Sequence, residues 1–495
     1  MFLILEINKM DTSLVAIILI SYFIVLIIIS FISSKKRDNA TFFNANRSSP
    51  WYLVAFGMIG TSLSGVTFIS IPGEVGNTGW TYLMVVLGNC IGYIIIGLII
   101  LPIFYKLKSV SIYSWLGIRM GENARLTGSL FFMLSQLIGA SFRLFLVVGV
   151  LQIAIFNSLH IPFIVTVFIT LCLVYIYTAK GGIKTIIWTD TLQTIFMLAS
   201  IVLTIYIVCR ELGFDISSAI NSIKESSLTK IYDFDWRSGQ NTWKQIISGI
   251  AITIAINGLD QNMMQKNLTC RTLKDGKINM LSFSGLFMIS NIIFLALGSL
   301  LYIYCESKGI AIPRKTDDLF PLLSLNYFGT FAGIIFLLGI TAAAYSSVDS
   351  SLTSLTTSFC LDFLKLDINN TTTRRKKVKV HLAFSLLMFF VIALFHELNN
   401  GSVVMAVFKA VGYTYGPILG LFAFGALSKR KVNPRMIPVI CILSPALSYL
   451  LNLFSEDLFW GYKFGFEILI VNGLLCFIGL LLFSKKFLNA NKAQY

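Results

Sequence analysis

About thirteen runs of roughly 20 apolar residues follow one another along this chain, at 12–34, 50–73, 80–105, 126–155, 160–178, 184–209, 240–260, 278–304, 327–362, 378–396, 402–426, 434–454 and 463–484, here called spans 1 to 13. Each is long enough to cross a hydrocarbon core. No water reaches a backbone N–H or C=O there, so each run must satisfy its own hydrogen bonds, which an α-helix does within one segment. With 56% hydrophobic and 13% charged residues over 495 positions, the chain reads as an all-α polytopic membrane protein. The segments between runs, the longest at about 211–239 and 362–377, are too short to build a separate core.

Basic residues orient the spans. With the N-terminus outside, most of the 39 Lys and Arg fall in cytoplasmic segments, among them the KKR after span 1, Lys106 to Arg125, Lys266 to Lys277 and Lys365 to Lys379, as the retention of positive charge on that side requires. This predicts a multi-pass protein of the cell (inner) membrane with a cytoplasmic C-terminus. The net charge of +16 reflects topology and calls for no nucleic-acid partner. There is no P-loop and no HExxH, and the eight cysteines form no CxxC pair, so neither ATP-driven work nor a zinc site is expected. The chain is read as no enzyme, with a small-molecule substrate, a lipid bilayer around it and no obligate protein partner.

Two polar islands interrupt the apolar runs. In span 2, TSLSGVTFISIPG from Thr61 to Gly73 places Thr61, Ser62 and Ser64 beside Gly60 and Gly65. Glycines weaken the helix and hydroxyls bind backbone groups that an unwound turn releases, so a break is predicted there. Non-helical backbone at membrane depth must face the protein interior. The first half-helix would end in free carbonyls near Gly60 and Leu63, which suit a cation; the second would begin with N–H groups near Val66, which suit an anion. In span 9, TAAAYSSVDSSLTS sets Ala343, Ser346, Ser347 and Ser350 at i, i+3, i+4 and i+7, with Asp349 beside them. Oxygen donors alone select a hard cation. Asp349 needs a partner inside the membrane, and span 6 offers Asp190, provided a cation or proton lies between the two carboxylates. Arg143, in the middle of span 4, has no acidic neighbour in sequence; its guanidinium matches a carboxylate by two parallel hydrogen bonds. Lys409 of span 11 is read as reaching back to the membrane surface, and His160, His381 and His396 as interfacial residues.

At these residues the chain resembles the sodium/solute symporter family, whose members carry sugars, amino acids, vitamins, iodide or sialic acids. The resemblance covers about residues 12 to 484 and rests on FFNANRSSPW, SGVTFISIPG, GGIKTIIWTDTLQ, GLDQNMMQ (Gly258 to Gln265), SSVDSSL and YTYGPILGLFAFG (Tyr413 to Gly425). It implies a leucine-transporter-type fold with broken helices, a five-plus-five inverted repeat at 50–209 and 240–426, a peripheral helix at 12–34, two more at 434–484 and a cytoplasmic tail at 485–495. It also implies one or two sodium ions. The family's common sodium site falls on Gly60, Leu63, Ala343, Ser346 and Ser347; a second site, found in some relatives, maps to Asp190, Ser346, Asp349 and Ser350, where Asp349 replaces a serine of the sialic acid branch.

The resemblance further implies a substrate carboxylate held by Arg143, with Thr61, Ser62, Ser64 and Thr67 lining the pocket. The polar residue such pockets draw from span 3 has no counterpart at Met84 or Val86, which leaves Asn89 as its substitute. A galactose-type pocket fits less well, because Ile256 and Asn257 stand before the DQ where that type has an aromatic pair. The expected function is sodium-coupled import of a carboxylated solute, such as a sialic acid or related sugar acid, by alternating access. The alternatives are symport of a neutral sugar, a polyol or another organic anion, and, outside transport, a passive channel or sensor.

Overall fold

The computed structural model describes residues 12–33, 39–367, 370, 373–398, 403–462 and 464–485, with the side chains of Thr12, Lys180 and 403–410 outside that description. The expected surface role of Lys409 and the tail beyond residue 485 therefore lie outside the described residues. Apart from one two-residue strand pair, Lys431–Val432 with Ser484–Lys485, the described regular elements are helices.

Among the described residues, eight helices are long and apolar enough to cross a membrane: Ser13–Ser33, Tyr82–Leu107, Glu122–Phe156, Gly181–Leu212, Leu273–Lys308, Gly329–Phe363, Thr373–Leu398 and Met436–Leu453. A ninth crossing is a bent pair, Trp51–Ser62 with Gly65–Thr78, whose halves meet at 62°. The remaining runs form shorter helices, including Phe163–Ala179, Thr242–Thr253 and Ile468–Leu482. Among the described residues the count of thirteen crossings is thus not confirmed. Spans 5 and 6 follow each other without a loop, and the chain turns between them at Gly182 (φ 54°, ψ −141°). A side chain there would be strained, and a Cβ would stand 2.5 Å from the Phe42 ring.

Span 9 is the centre of the assembly. Of its most apolar stretch 83% is buried, against 33% for span 1 and 28% for span 12. It packs against spans 2, 4, 5, 6 and 10, while span 7 lies along span 3 and span 11 along spans 4 and 13. This enclosure is why span 9 tolerates a run of hydroxyls. The outer helices instead expose apolar residues such as Ile17, Leu98 and Phe390, as lipid contact requires.

Three basic or titratable residues assigned to span ends by sequence are found inside. Lys266, counted with a cytoplasmic loop, is buried. Lys377 lies over the Phe42 ring at 4.1 Å from its centroid. His381, read as interfacial, is fully buried between the hydroxyls of Thr178 (2.9 Å) and Thr356 (2.8 Å).

Small residues set the closest helix approach, as membrane interfaces favour. A Cβ on Gly249 would meet the Val85 carbonyl at 2.2 Å, whereas one on Gly285 would meet nothing within 4 Å. The obstacle at Gly249 is backbone, which cannot rotate away. Gly249→Ala should therefore cost about 1–3 kcal/mol by overpacking and lower the apparent melting temperature of the detergent-purified protein, with Gly285→Ala unchanged. Equal melting of the two variants would show that spans 3 and 7 are not held this closely.

Candidate functional site

The break predicted in span 2 is present. Its first helix ends at Ser62, Leu63 takes φ −88° and ψ 79°, Ser64 is extended, and a new helix starts at Gly65. Gly60 is held from span 6, its N–H donating to Thr194 Oγ1 at 3.0 Å. From span 9, Ser347 Oγ donates to the Thr61 carbonyl at 3.2 Å, and Ser346 Oγ lies 3.2 Å from Thr61 Oγ1. A Cβ on Gly60 would be 3.1 Å from Ser346 Oγ, and one on Gly65 would be 3.6 Å from Ala344 Cβ. The interrupted helix and the serine face of span 9 are therefore in contact. Ala343 and Leu63 are buried within these same two elements.

The charge at this contact differs from the sequence reading. Ser346 Oγ donates to Asp190 Oδ1 at 2.6 Å, and Thr61 Oγ1 donates to Asp190 Oδ2 at 3.3 Å. The counter-charge of Asp190 is Lys266, whose Nζ is 2.5 Å from Asp190 Oδ2 and also donates to Thr61 Oγ1; both side chains of the pair are 1% exposed. Asp349 accepts from Tyr177 OH at 3.1 Å and from Ser350 Oγ at 3.2 Å. Lys266 thus brings a positive charge from within the chain to Asp190. Thr61, expected among substrate contacts, stands in this ionic cluster.

Lys266 enters the interior because span 7 is also broken. Its helix passes through a wide turn at Ile254–Gly258, Leu259 and Asp260 leave helical geometry, and a short helix, Gln261–Asn267, follows with every residue buried. Asp260 caps that helix, accepting from the N–H groups of Asn262 (2.7 Å) and Met263 (3.2 Å), as an N-cap aspartate does. The legible signal was GLDQ, a glycine and a capping residue together at the end of an apolar run. Gln265 fixes the short helix further, donating to the Phe43 carbonyl at 2.7 Å and to Thr357 Oγ1 at 3.0 Å.

Asp260 joins a second polar group that sequence did not single out. It accepts from Gln136 Nε2 at 2.6 Å and from Tyr415 OH, while Ser351 Oγ donates to Gln136 Oε1 at 3.0 Å. Gln136 and Arg143 are seven residues apart on one helix and so share a face. A Cβ on Gly139, between them, would lie 3.6 Å from Arg143 Nη2, and Val147, one turn beyond Arg143, reaches within 2.5 Å of where a Cβ on Gly65 would stand. Arg143 therefore belongs to the face of span 4 turned to the broken helix. Its buried Nε has no hydrogen-bond partner among the described residues. Ser64 and Thr67 hydroxyls are 3.5 Å apart at the start of the second half-helix, and Ser62 closes the first. Asn89 is buried against span 7, its amide 3.0 Å from Thr253 Oγ1; with the nitrogen facing that span it also donates to the Gly249 carbonyl at 2.8 Å.

The sequence pattern of the sodium:solute symporter family matches residues 42–434. The chain is 26% identical over 458 residues to the sodium/sialic acid symporter SiaT of Proteus mirabilis (strain HI4320), across 88% of this chain and 90% of that one. It is 24% identical over 429 residues to the sodium/sialic acid symporter NanT of Aliivibrio fischeri (strain ATCC 700601 / ES114), across 84% and 83%. The structure is similar to that of a Na+-coupled sialic acid symporter in a substrate-bound outward-open state, with a TM-score of 0.80 at 21% identity over 96% of this chain and 99% of that one. The fold is thus of the leucine-transporter type.

The buried pair makes a stability prediction. Asp190→Asn leaves the Lys266 ammonium without its counter-charge and should cost about 3–5 kcal/mol, read as a lower melting temperature in detergent. Asp190→Asn with Lys266→Met removes both charges and should recover most of the loss. A single variant as stable as the parent would mean that the two groups do not pair.

Proposed function

Because the chain belongs to the sodium:solute symporter family, we propose that it is a sodium-coupled symporter importing a carboxylated solute, a sialic acid or related sugar acid, by alternating access. The observation that carries the reading is the contact of the broken helix with the serine face of span 9, where Ser347 Oγ meets the Thr61 carbonyl at 3.2 Å. There the carbonyls of Gly60, Leu63 and Ala343 and the hydroxyls of Ser346 and Ser347 form the sodium site. A desolvated sodium ion would draw the two elements together, because its ligands come from both. Ser64, Thr67 and the Arg143 guanidinium face the solute; the Arg143 Nε without a protein acceptor supports an anionic group as its partner. The two relatives named for sialic acid support that choice of anion. Sodium and solute raise each other's affinity by the same factor, since coupling free energy is reciprocal.

Residues 50–209 and 240–426 act as two inverted halves. In support, each half begins with an interrupted helix, broken at Leu63 in the first and at Leu259 in the second. The charge distribution supports an inner-membrane protein with its N-terminus outside and its C-terminus in the cytoplasm.

The reading is tested with purified protein in proteoliposomes. N-acetylneuraminate should accumulate above the external concentration when sodium is higher outside and not when potassium replaces it; a channel would only equilibrate it. Changing Ser346 and Ser347 to Ala should raise the half-saturating sodium concentration about tenfold or more, equivalent to losing about 1.4 kcal/mol of binding. An unchanged sodium dependence would exclude this ion site. Arg143→Ala removes a buried charged contact worth about 2–5 kcal/mol and should abolish uptake of the acid, and equal loss for a neutral sugar would exclude the anion assignment.

A further inference from the structure

We infer that the Lys266 ammonium is the resident cation of the second ion position, so that a single free sodium ion binds per transporter. This rests on the sodium-coupled reading above. Relatives with two sites would place the second ion on the residues matching Asp190, Ser346, Asp349 and Ser350, and here Asp190 of that group is already in contact with a positive charge. Lys266 Nζ is 2.5 Å from Asp190 Oδ2, Thr61 Oγ1 accepts from the same ammonium, and Ser346 Oγ is turned to the other oxygen, Asp190 Oδ1, at 2.6 Å. Two cations in contact with one carboxylate repel strongly in a site that excludes water. A sodium ion on Asp190 would therefore have to expel Lys266.

The backbone that carries the ammonium is fixed from two sides. Its backbone lies in the short buried helix Gln261–Asn267, where the Lys266 carbonyl accepts from Thr269 Oγ1 at 2.6 Å, and Asn267 on its other side accepts from Asn279 Nδ2 at 2.6 Å. The first ion position is different in kind. Its donors are the carbonyls of Gly60, Leu63 and Ala343 with Ser346 and Ser347, and of these only Ser346 also serves Asp190. Asp349 stands outside the ion pair, held by the Tyr177 and Ser350 hydroxyls.

The test is binding of radioactive sodium to the full-length protein in detergent, counted per transporter, with sodium-dependent melting measured alongside. The parent and Lys266→Arg should bind a single ion. Lys266→Met and Lys266→Gln should bind two, with a melting temperature that rises more steeply with sodium than the parent's, because the ion replaces the missing ammonium on Asp190. Two ions in the parent, or one in both neutral variants, would overturn the inference while leaving sodium coupling intact. Neutral variants that fail to fold even in sodium-rich buffer would also overturn it, since the vacated position should then accept the ion. A parent that binds no sodium and transports without it would instead overturn the symporter reading itself.

Discussion

In a hydrocarbon core every backbone group that leaves a helix must find a partner inside the protein, and this structure is arranged around two such departures. Neighbouring spans take part in closing each. At the first break the freed Thr61 carbonyl accepts from Ser347 of span 9, and the Gly60 N–H just before it donates to Thr194 of span 6. At Asp260 the new helix is capped by the residue's own carboxylate, which Gln136 of span 4 and Tyr415 of span 11 then hold. Spans 4, 6, 9 and 11 therefore cannot pack as plain apolar cylinders. Their polar faces meet the groups that the broken helices leave open.

Charge imposes the second level of order. Unpaired ions at this depth are too costly to keep, and the described structure pairs Asp190 with Lys266 and satisfies Asp260 and Asp349 with hydroxyl, amide and backbone donors. The Arg143 guanidinium, by contrast, keeps a buried Nε without a hydrogen-bond partner among the described residues. Thr61 links the two broken helices: its carbonyl accepts from Ser347 of span 9, and its hydroxyl accepts from Lys266 in the short helix after the second break.

Much of this was legible from local pattern. Apolar runs of helical length announced the class, the glycine and hydroxyl cluster at Gly60 to Gly65 announced the first break, and the spacing of Ser346, Ser347 and Ser350 announced a polar face. Each signal is a statement about one helix and its surroundings, which a sequence records directly. Lys266 was misread for the same reason. It comes after the polar stretch that ends span 7, so locally it resembles a loop lysine at a membrane surface. Asn89 likewise offered a polar side chain in an apolar run without showing that Thr253 would meet it, and His381 sat close enough to a run's end to pass for an interfacial residue.

Sequence by itself determined the membrane class, the place where span 2 must break and the oxygen-rich faces of spans 2 and 9, because propensity and polarity act within a few residues of chain. Only the tertiary structure decided which charge answers Asp190, that the segment after the second break folds inward, and that Thr61 belongs to an ionic cluster. Those outcomes depend on residues 76 and 205 positions apart meeting at hydrogen-bond distance, and partner choice in a buried site is set by which side chains the packed helices bring together.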